Sequence, residues 1–407
     1  MPSEHKDKTS SASIAPSYST KPPQPSKSGR RIGGVSRLSA HEVKGAPVAG
    51  PVPAAPAHAD FIYNGGPVLT CPMLYASFWG PSWTNSPSGL AEVGRLTQFL
   101  QDMVNSQYMN VLSQYGTGNG PGSGLFMQAS FITNVASSIS DSDIHSYIQN
   151  AINSGAIPEP PAKNTTHLIV IYLDSSIAVS DSGLGIAMCE PAGEGDNAFG
   201  YHYFFSTAAG NNCYYAVIPS LDDACLNNSG CGGGGCSLQP SQTQEQRRTQ
   251  VTSHEFAEAC TDPLFPTGWF GPSSDENGDI CNGEADSITV GANTWDVQRI
   301  YSKTDDIATN GASYCRATAP SPIPKLSPGP SSLTAAMTTA QRLGNYKPFL
   351  PLPMAFHDAK TKQTTWDNKE IERYMHRFFY PLSQSNVLGN FAGTIRQFAD
   401  ILDKTKK

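Results

Sequence analysis

THLIVIYLD (Thr166–Asp174) is the most continuous apolar strand candidate in this chain of 407 residues. From Leu168 to Leu173 every residue is aliphatic or aromatic. A strand with one solvated face alternates apolar and polar side chains, whereas a strand that is covered on both faces has a continuous apolar run. We therefore predict that Thr166–Asp174 is the central strand of a layered domain.

Strands and helices are intermixed on either side of this central strand. Apolar residues at steps of three or four predict one or two amphipathic helices within Gly89–Tyr115. Ser140–Gly155 has the pattern of a capped helix that ends at its glycine. Further strands are predicted at Met73–Gly80, Leu125–Thr133, Phe199–Thr207, Cys213–Ser220 and Thr294–Lys303. This mixture predicts an α/β (α+β) fold, with a mixed sheet and flanking helices.

Composition divides the chain into four parts. Residues 1–59 are rich in Ser, Pro, Lys and Ala and lack apolar periodicity, which predicts a disordered basic tail. Residues 60–316 form the predicted globular domain. A Pro-rich linker is predicted at 317–365. Residues 366–407 contain two amphipathic segments and are predicted to form a small helical C-terminal tail.

The formal charge of −7 is unevenly distributed along the chain. Residues 1–50 carry eight Lys/Arg and three Asp/Glu, residues 51–343 carry nine and 25, and residues 344–407 carry ten and six, so the net charges are +5, −16 and +4. An acidic body repels nucleic acid and attracts divalent cations, so no nucleic-acid partner is expected. No run of about 18 apolar residues occurs, so no transmembrane segment is predicted.

The cysteines and the N-terminal sequence give opposite indications about the compartment. Eight of the nine cysteines lie between Cys189 and Cys315, and the Gly-rich stretch CLNNSGCGGGGCS, which begins at Cys225, favours disulfides over a soft metal site. Because the number of cysteines is odd, at least one of them must remain a thiol if the others pair within the chain. Sequons at Asn164 and Asn227 fit an extracellular protein. MPSEHKDKTSSAS, however, lacks the apolar core of a secretory signal.

QVTSHEFAEACTDP (Gln250–Pro263) carries the chemistry of the predicted domain. It resembles the zinc-protease motif H-E-x-x-H, with a glutamate in place of the second histidine. A capping box formed by Ser241 and Gln244 predicts a helix from about Gln242 to Cys260, which must stop before the proline.

On this helix, residues four apart lie about 40° from one another around the axis. His254, Glu258 and Asp262 therefore share one stripe, and an i, i+4 pair can supply two ligands to one ion. We predict His254 and Glu258 as metal ligands, with Asp262 or Asp279 as a third. Glu255 lies about 100° off the stripe, where a zinc protease has the general base that takes a proton from metal-bound water.

The expected ion is zinc or calcium. Imidazole and carboxylate together suit zinc, whereas the glutamate at position 258 makes the site harder and more anionic, which favours calcium or another ion that prefers oxygen.

The same residues also have a purely structural interpretation, in which they bind no metal. His254 would then be a core histidine hydrogen-bonded to a carbonyl group or to Glu258, and Glu255 and Glu258 would form a solvated face. His202 shares a strand face with Gly200 and would be either a packed core histidine or a third ligand.

Several blocks, in order, resemble the EXORDIUM / phosphate-induced protein family over roughly Phe61–Cys315. They are YNGGPVLT (Tyr63–Thr70), SFWG (Ser77–Gly80), FGYHYFF (Phe199–Phe205), YYAVIPS (Tyr214–Ser220), SHEFAEACTDP (Ser253–Pro263), ENGDIC (Glu276–Cys281) and WDVQRIYS (Trp295–Ser302). The helix block has the S-H-E-x-A-E-x-x-T-D-P form of microbial members. The resemblance implies an extracellular or surface location, and peptide or cell-surface material as the partner. The order of elements is also similar to that of a zincin.

Two functional hypotheses follow. In the first, an EXORDIUM-like, zincin-like domain binds a divalent cation and acts as a metal-dependent peptidase or hydrolase through its HExxE helix. In the second, the domain is a non-catalytic surface or cell-wall-associated interaction protein whose acidic helix is structural.

Overall fold

The computed structural model describes residues 58, 60–116, 121–190, 198–233, 236–271 and 275–325 in full, and the backbone of 35–37, 196–197, 352–358 and 363–366. The predicted N-terminal tail and helical C-terminal tail lie almost entirely outside these residues, so the predicted domain boundaries stay predictions.

The described strands, in chain order, are β1 (Val35–Arg37), β2 (Ile62–Tyr63), β3 (Met73–Trp79), β4 (Leu125–Ile132), β5 (Ser138–Ile139), β6 (His167–Leu173), β7 (Ala178–Asp181), β8 (Ile186–Met188), β9 (Asp196–Ser206), β10 (Asn212–Ile218), β11 (Trp269–Phe270), β12 (Ala285–Val290), β13 (Asn293–Gln298), β14 (Ile300–Tyr301), β15 (Cys315–Arg316), β16 (Leu352–Asp358) and β17 (Gln363–Trp366). The described helices are α1 (Ser82–Asn85), α2 (Pro87–Met103), α3 (Tyr108–Leu112), α4 (Asp141–Asn153), α5 (Asp223–Asn228), α6 (Gln244–Thr261) and α7 (Lys303–Thr309), with 3₁₀ turns at Ser113–Tyr115 and Asp279–Cys281. No described helix is both long enough and apolar enough to cross a membrane.

A mixed sheet organises the domain. Its strand order is β17-β16-β4-β3-β6-β10-β9-β8-β7-β5, and β1 also pairs with β9. Strands β4, β3, β6 and β10 run parallel, whereas β9 is antiparallel to β10. The remaining strands form three two-stranded sheets, β11-β2, β12-β13 and β14-β15. The predicted mixed sheet with intermixed helices is confirmed.

The continuous apolar run of β6 is explained by two cores, one on each face of the sheet. Leu168, Val170 and Tyr172 belong to the core that also contains residues of α2, α3 and α6. The alternate residues Ile169 and Ile171, with Leu173, belong to the core that contains residues of α4. Because side chains alternate across a strand, every position from Leu168 to Leu173 meets one core or the other. The central-strand prediction is confirmed.

Two predicted boundaries are wrong. The late strand Thr294–Lys303 is two strands in different sheets, because β13 pairs with β12 and β14 pairs with β15. Helix α6 is capped at Thr243, not at Ser241. The Thr243 side chain accepts a hydrogen bond from Gln246 N (3.2 Å), and the Gln246 side chain accepts one from Thr243 N (2.8 Å).

Three disulfides are present, Cys189–Cys225, Cys231–Cys236 and Cys281–Cys315. All three cysteines of the Gly-rich stretch are therefore in disulfides, as predicted. Cys71, Cys213 and Cys260 are thiols.

Candidate metal centre

Helix α6 is buried over most of its length. Every residue from Arg247 to Thr261 is buried, and the helix packs against β9, β10, β13 and α2. The side chains of His254, Glu255 and Glu258 have no exposed surface. The alternative of a solvated acidic face is therefore wrong. The polar residues of this motif must find partners, or a ligand, inside the protein.

Three of the predicted ligands, His254, Glu258 and Asp279, lie close together. His254 Nε2 lies 3.1 Å from Glu258 Oε1 and 3.7 Å from Asp279 Oδ1. The backbone N–H of Asp279 donates a hydrogen bond to Glu258 Oε1 (3.1 Å). These three residues can offer ligand atoms that all lie within 4.8 Å of one another. The structure thus contains a possible metal-binding group formed by His254, Glu258 and Asp279.

Gly278 allows this close approach of the loop to the helix. A Cβ atom at Gly278 would lie 2.8 Å from Glu258 Oε1 and 2.9 Å from His254 Nδ1. Real Cβ atoms do not come so close, so a side chain at position 278 would displace the Glu258 carboxylate and the His254 ring. The glycine in the ENGDIC block is therefore a spatial requirement of the site.

Gln298 in β13 contacts the far edge of the His254 ring. Gln298 Nε2 lies 2.6 Å from His254 Nδ1 and donates to the carbonyl oxygen of Gly278 (2.8 Å). A histidine that binds a metal through Nε2 carries its proton on Nδ1 and donates it to an oxygen. Metal binding by His254 therefore requires the Gln298 amide to turn, so that its oxygen accepts the Nδ1 proton.

A second group lies on the β9 side of Glu258. His202 Nδ1 is 3.5 Å from Glu258 Oε2 and 3.7 Å from Glu255 Oε2, and the imidazole is 2% exposed. Neither ring nitrogen of His202 has a hydrogen-bond partner among the described residues. His202 is thus packed in the core, as one of its two interpretations predicts, and its position beside Glu255 and Glu258 also allows it to be a ligand. The strand alternation that places it with Gly200 was the only sequence signal for its position.

Asp262 does not join His254 and Glu258. Helix α6 ends at Thr261, and Asp262 is its C-cap with non-helical angles (φ −145°, ψ 51°), so the stripe stops one residue early. Asp262 instead groups with His202 and Glu276, and all three are buried. In the sequence Glu276 is distinguished only as the first residue of the ENGDIC block.

Burial and mutual contact shift the pKa of most of these groups. For both histidines burial opposes the charge, but Glu258 beside each ring, with Glu255, raises each pKa to about 10. Burial also acts against ionised Glu258, yet the two histidines lower its pKa to about 2. Burial raises the pKa of Glu255 and of Asp262 to about 7, and that of Glu276 well above its usual range. In this cluster the carboxyl groups of Asp and Glu outnumber the imidazoles of the two histidines.

A separate cavity of about 640 Å³ lies at the carboxyl ends of β3, β4 and β6. It is lined by Pro81, Ser176, residues 133–137 and residues of α4. None of the lining residues belongs to the His254 or His202 groups, so the histidine–carboxylate cluster does not open into this cavity.

No family model, curated protein or solved structure matches the chain. The EXORDIUM resemblance therefore rests on the sequence blocks alone. Four of these blocks meet at the cluster: FGYHYFF supplies His202, SHEFAEACTDP supplies the helix, ENGDIC supplies the loop at Gly278, and WDVQRIYS supplies Gln298.

Proposed function

We propose that the protein is a divalent-cation-binding protein whose first cation lies between α6 and the loop at residues 276–279. The ligands are His254, Glu258 and Asp279. The observation that carries this proposal is the convergence of one imidazole and two carboxylates, with His254 Nε2 buried 3.1 Å from Glu258 Oε1 and 3.7 Å from Asp279 Oδ1. A bound cation would satisfy all three of these buried or half-buried side chains at one point.

The donor set favours zinc over calcium. Calcium prefers six to eight oxygen ligands, whereas zinc binds imidazole nitrogen and carboxylate oxygen together. In a tetrahedral site with bonds of about 2.1 Å, ligand atoms lie about 3.4 Å apart. The separations of 3.1 and 3.7 Å from His254 Nε2 bracket that value.

A structural role for the cation fits the burial better than hydrolysis does. His254, Glu255 and Glu258 are fully buried, and Glu255 faces His202 on the side of Glu258 away from Asp279. Hydrolysis is kept as a second candidate because the Asp279 side chain is 25% exposed and connects the first cation position to the surface. An EXORDIUM-like, zincin-like domain is part of this proposal, supported by the HExxE helix that packs against β9 and β10.

Elemental analysis of the full chain, purified without chelator and desalted after exposure to Zn²⁺, tests this function. We expect bound zinc in the wild type and a rise in melting temperature of about 5–10 °C at a free zinc concentration 100 times the Kd. Glu258→Gln should lose the zinc while keeping its circular dichroism spectrum. His167→Asn, at a half-buried histidine outside the cluster, should keep it.

Wild-type protein without stoichiometric zinc, or a Glu258→Gln variant with the wild-type zinc content, would contradict the proposal. The same preparations, assayed on a peptide library, separate the two candidates. Zinc-dependent cleavage by the wild type that is lost in Glu258→Gln supports hydrolysis, and zinc binding without cleavage supports the structural role.

A further inference from the structure

Buried polar atoms without partners continue beyond the first cation position. Both ring nitrogens of His202, both carboxylate oxygens of Glu255 and Glu258 Oε2 are buried and lack hydrogen-bond partners in the described part of the chain. All of them lie on the β9 side of α6. Leaving so many polar atoms unsatisfied is costly, since each buried one loses its hydration. A cation on this side would bind His202 Nδ1 together with carboxylate oxygens of Glu255 and Glu258.

The distances in this second group suit a shared cation better than hydrogen bonds. His202 Nδ1 is 3.5 Å from Glu258 Oε2 and 3.7 Å from Glu255 Oε2. Hydrogen bonds from an imidazole N–H to a carboxylate are shorter, about 2.7–2.9 Å. Two ligands of one tetrahedral zinc ion lie about 3.4 Å apart. His202, Glu255 and Glu258 also offer ligand atoms within 4.8 Å of one another.

Glu258 belongs to both groups through different oxygens. Its Oε1 faces His254, whereas its Oε2 faces His202. We propose that the protein binds two divalent cations bridged by the Glu258 carboxylate, the first at His254 and Asp279 and the second at His202 and Glu255. This inference rests on the proposed function and adds a second position to the same site.

The charge balance favours two cations over one. The cluster contains five carboxylates, those of Glu255, Glu258, Asp262, Glu276 and Asp279, and two imidazoles. In the metal-bound limit in which all five carboxylates are ionised and both imidazoles are neutral, the side chains carry −5, so one divalent cation would leave −3 and two would leave −1. Uncompensated buried charge is strongly unfavourable. The second cation also makes Glu255 a ligand, so the residue predicted as a general base would hold a metal.

Zinc stoichiometry of the full-length chain tests the bridged pair. We expect two zinc ions per chain in the wild type, one in His202→Asn, and two in the control His167→Asn. Glu255→Gln should also retain one, which covers the case in which His202→Asn fails to fold. Glu276→Gln should retain two. His202 also groups with Asp262 and Glu276. Loss of the second ion in Glu276→Gln but not in Glu255→Gln would therefore overturn the assigned ligands and place that ion in this other group.

The failure of this inference is distinguishable from the failure of the proposed function. One zinc ion in both the wild type and His202→Asn would overturn the pair and leave the first site intact, whereas no zinc in the wild type would overturn both. Electron paramagnetic resonance of the Mn²⁺-loaded wild type provides an independent measurement. A carboxylate-bridged pair gives an exchange-coupled spectrum, and a spectrum of isolated ions only would contradict it.

Discussion

At the scale of single residues, two glycines determine how closely the backbone approaches the cluster. Gly278 admits the loop on the His254 side, and Gly200 admits β9 on the Glu255 side. A Cβ atom at Gly200 would lie 2.6 Å from Val251 Cγ1 and 2.7 Å from Glu255 Oε1. Neither glycine has a positive φ, so the requirement at both positions is for space and not for backbone conformation.

Gly200→Ala should therefore destabilise the protein. The added methyl group overpacks a closed site, and such changes cost about 1–3 kcal/mol in the free energy of unfolding. Urea denaturation followed by fluorescence measures the effect. Gly233→Ala is the matched control, since a Cβ atom there meets nothing within 4 Å, and its effect should stay within about 0.5 kcal/mol. Equal stability of Gly200→Ala and the wild type would show that Glu255 can move away from β9.

The local half of the site could be predicted from the sequence. The i, i+4 spacing places His254 beside Glu258, because helical geometry alone brings these side chains together. His202 lies more than fifty positions earlier in the chain, so its contact with Glu258 depends on how β9 packs against α6, which no local pattern encodes. Asp262 was misplaced for a related reason, since the stripe needs one more helical residue than α6 has.

At the scale of elements, the sequence predicts that α6 exists, but neither the residue at which it begins nor its buried environment. Its polar motif has the sequence pattern of a solvated face, yet the helix is covered by β9, β10 and β13. The predicted cap at Ser241 and the observed cap at Thr243 differ by two residues. Both residues can accept a hydrogen bond from a backbone N–H, so the sequence offers two starts and tertiary contacts select one.

Thr243→Ala should destabilise the domain through the start of α6. The variant loses the hydrogen bond that Thr243 accepts from Gln246 N, and such caps contribute about 1 kcal/mol, with a range of about 0.5–2 kcal/mol.

Thermal unfolding followed by circular dichroism at 222 nm measures the effect of Thr243→Ala, which should lower the melting temperature by about 2–4 °C. Ser241→Ala is the control, because Ser241 is exposed and precedes the cap, and it should leave the melting temperature unchanged. A larger effect of Ser241→Ala than of Thr243→Ala would restore the start predicted from the sequence.

At the scale of the whole molecule, the cluster connects parts of the chain that are far apart in sequence. Strand β9, helix α6, the loop at residues 276–279 and β13 each contribute a side chain or a close backbone contact. Cations bound here would cross-link the sheet to the C-terminal third of the described domain. The Cys281–Cys315 disulfide acts on the same region, since Cys281 ends the 3₁₀ turn that begins at Asp279.

The two disulfides Cys281–Cys315 and Cys231–Cys236 should contribute unequally to stability. They close sequence separations of 34 and 5, and each joins a buried cysteine to a half-buried one, so the pairs are matched in burial. Loop-closure entropy predicts that replacing both cysteines by alanine costs about 4 kcal/mol for the longer loop and about 2 kcal/mol for the shorter. Guanidinium denaturation of the two double variants, each saturated with Zn²⁺, measures the difference. Equal losses of unfolding free energy would mean that the loop from Cys281 to Cys315 is already restrained in the unfolded chain. A loss of zinc in the Cys281/Cys315 variant alone would show that this disulfide also positions Asp279.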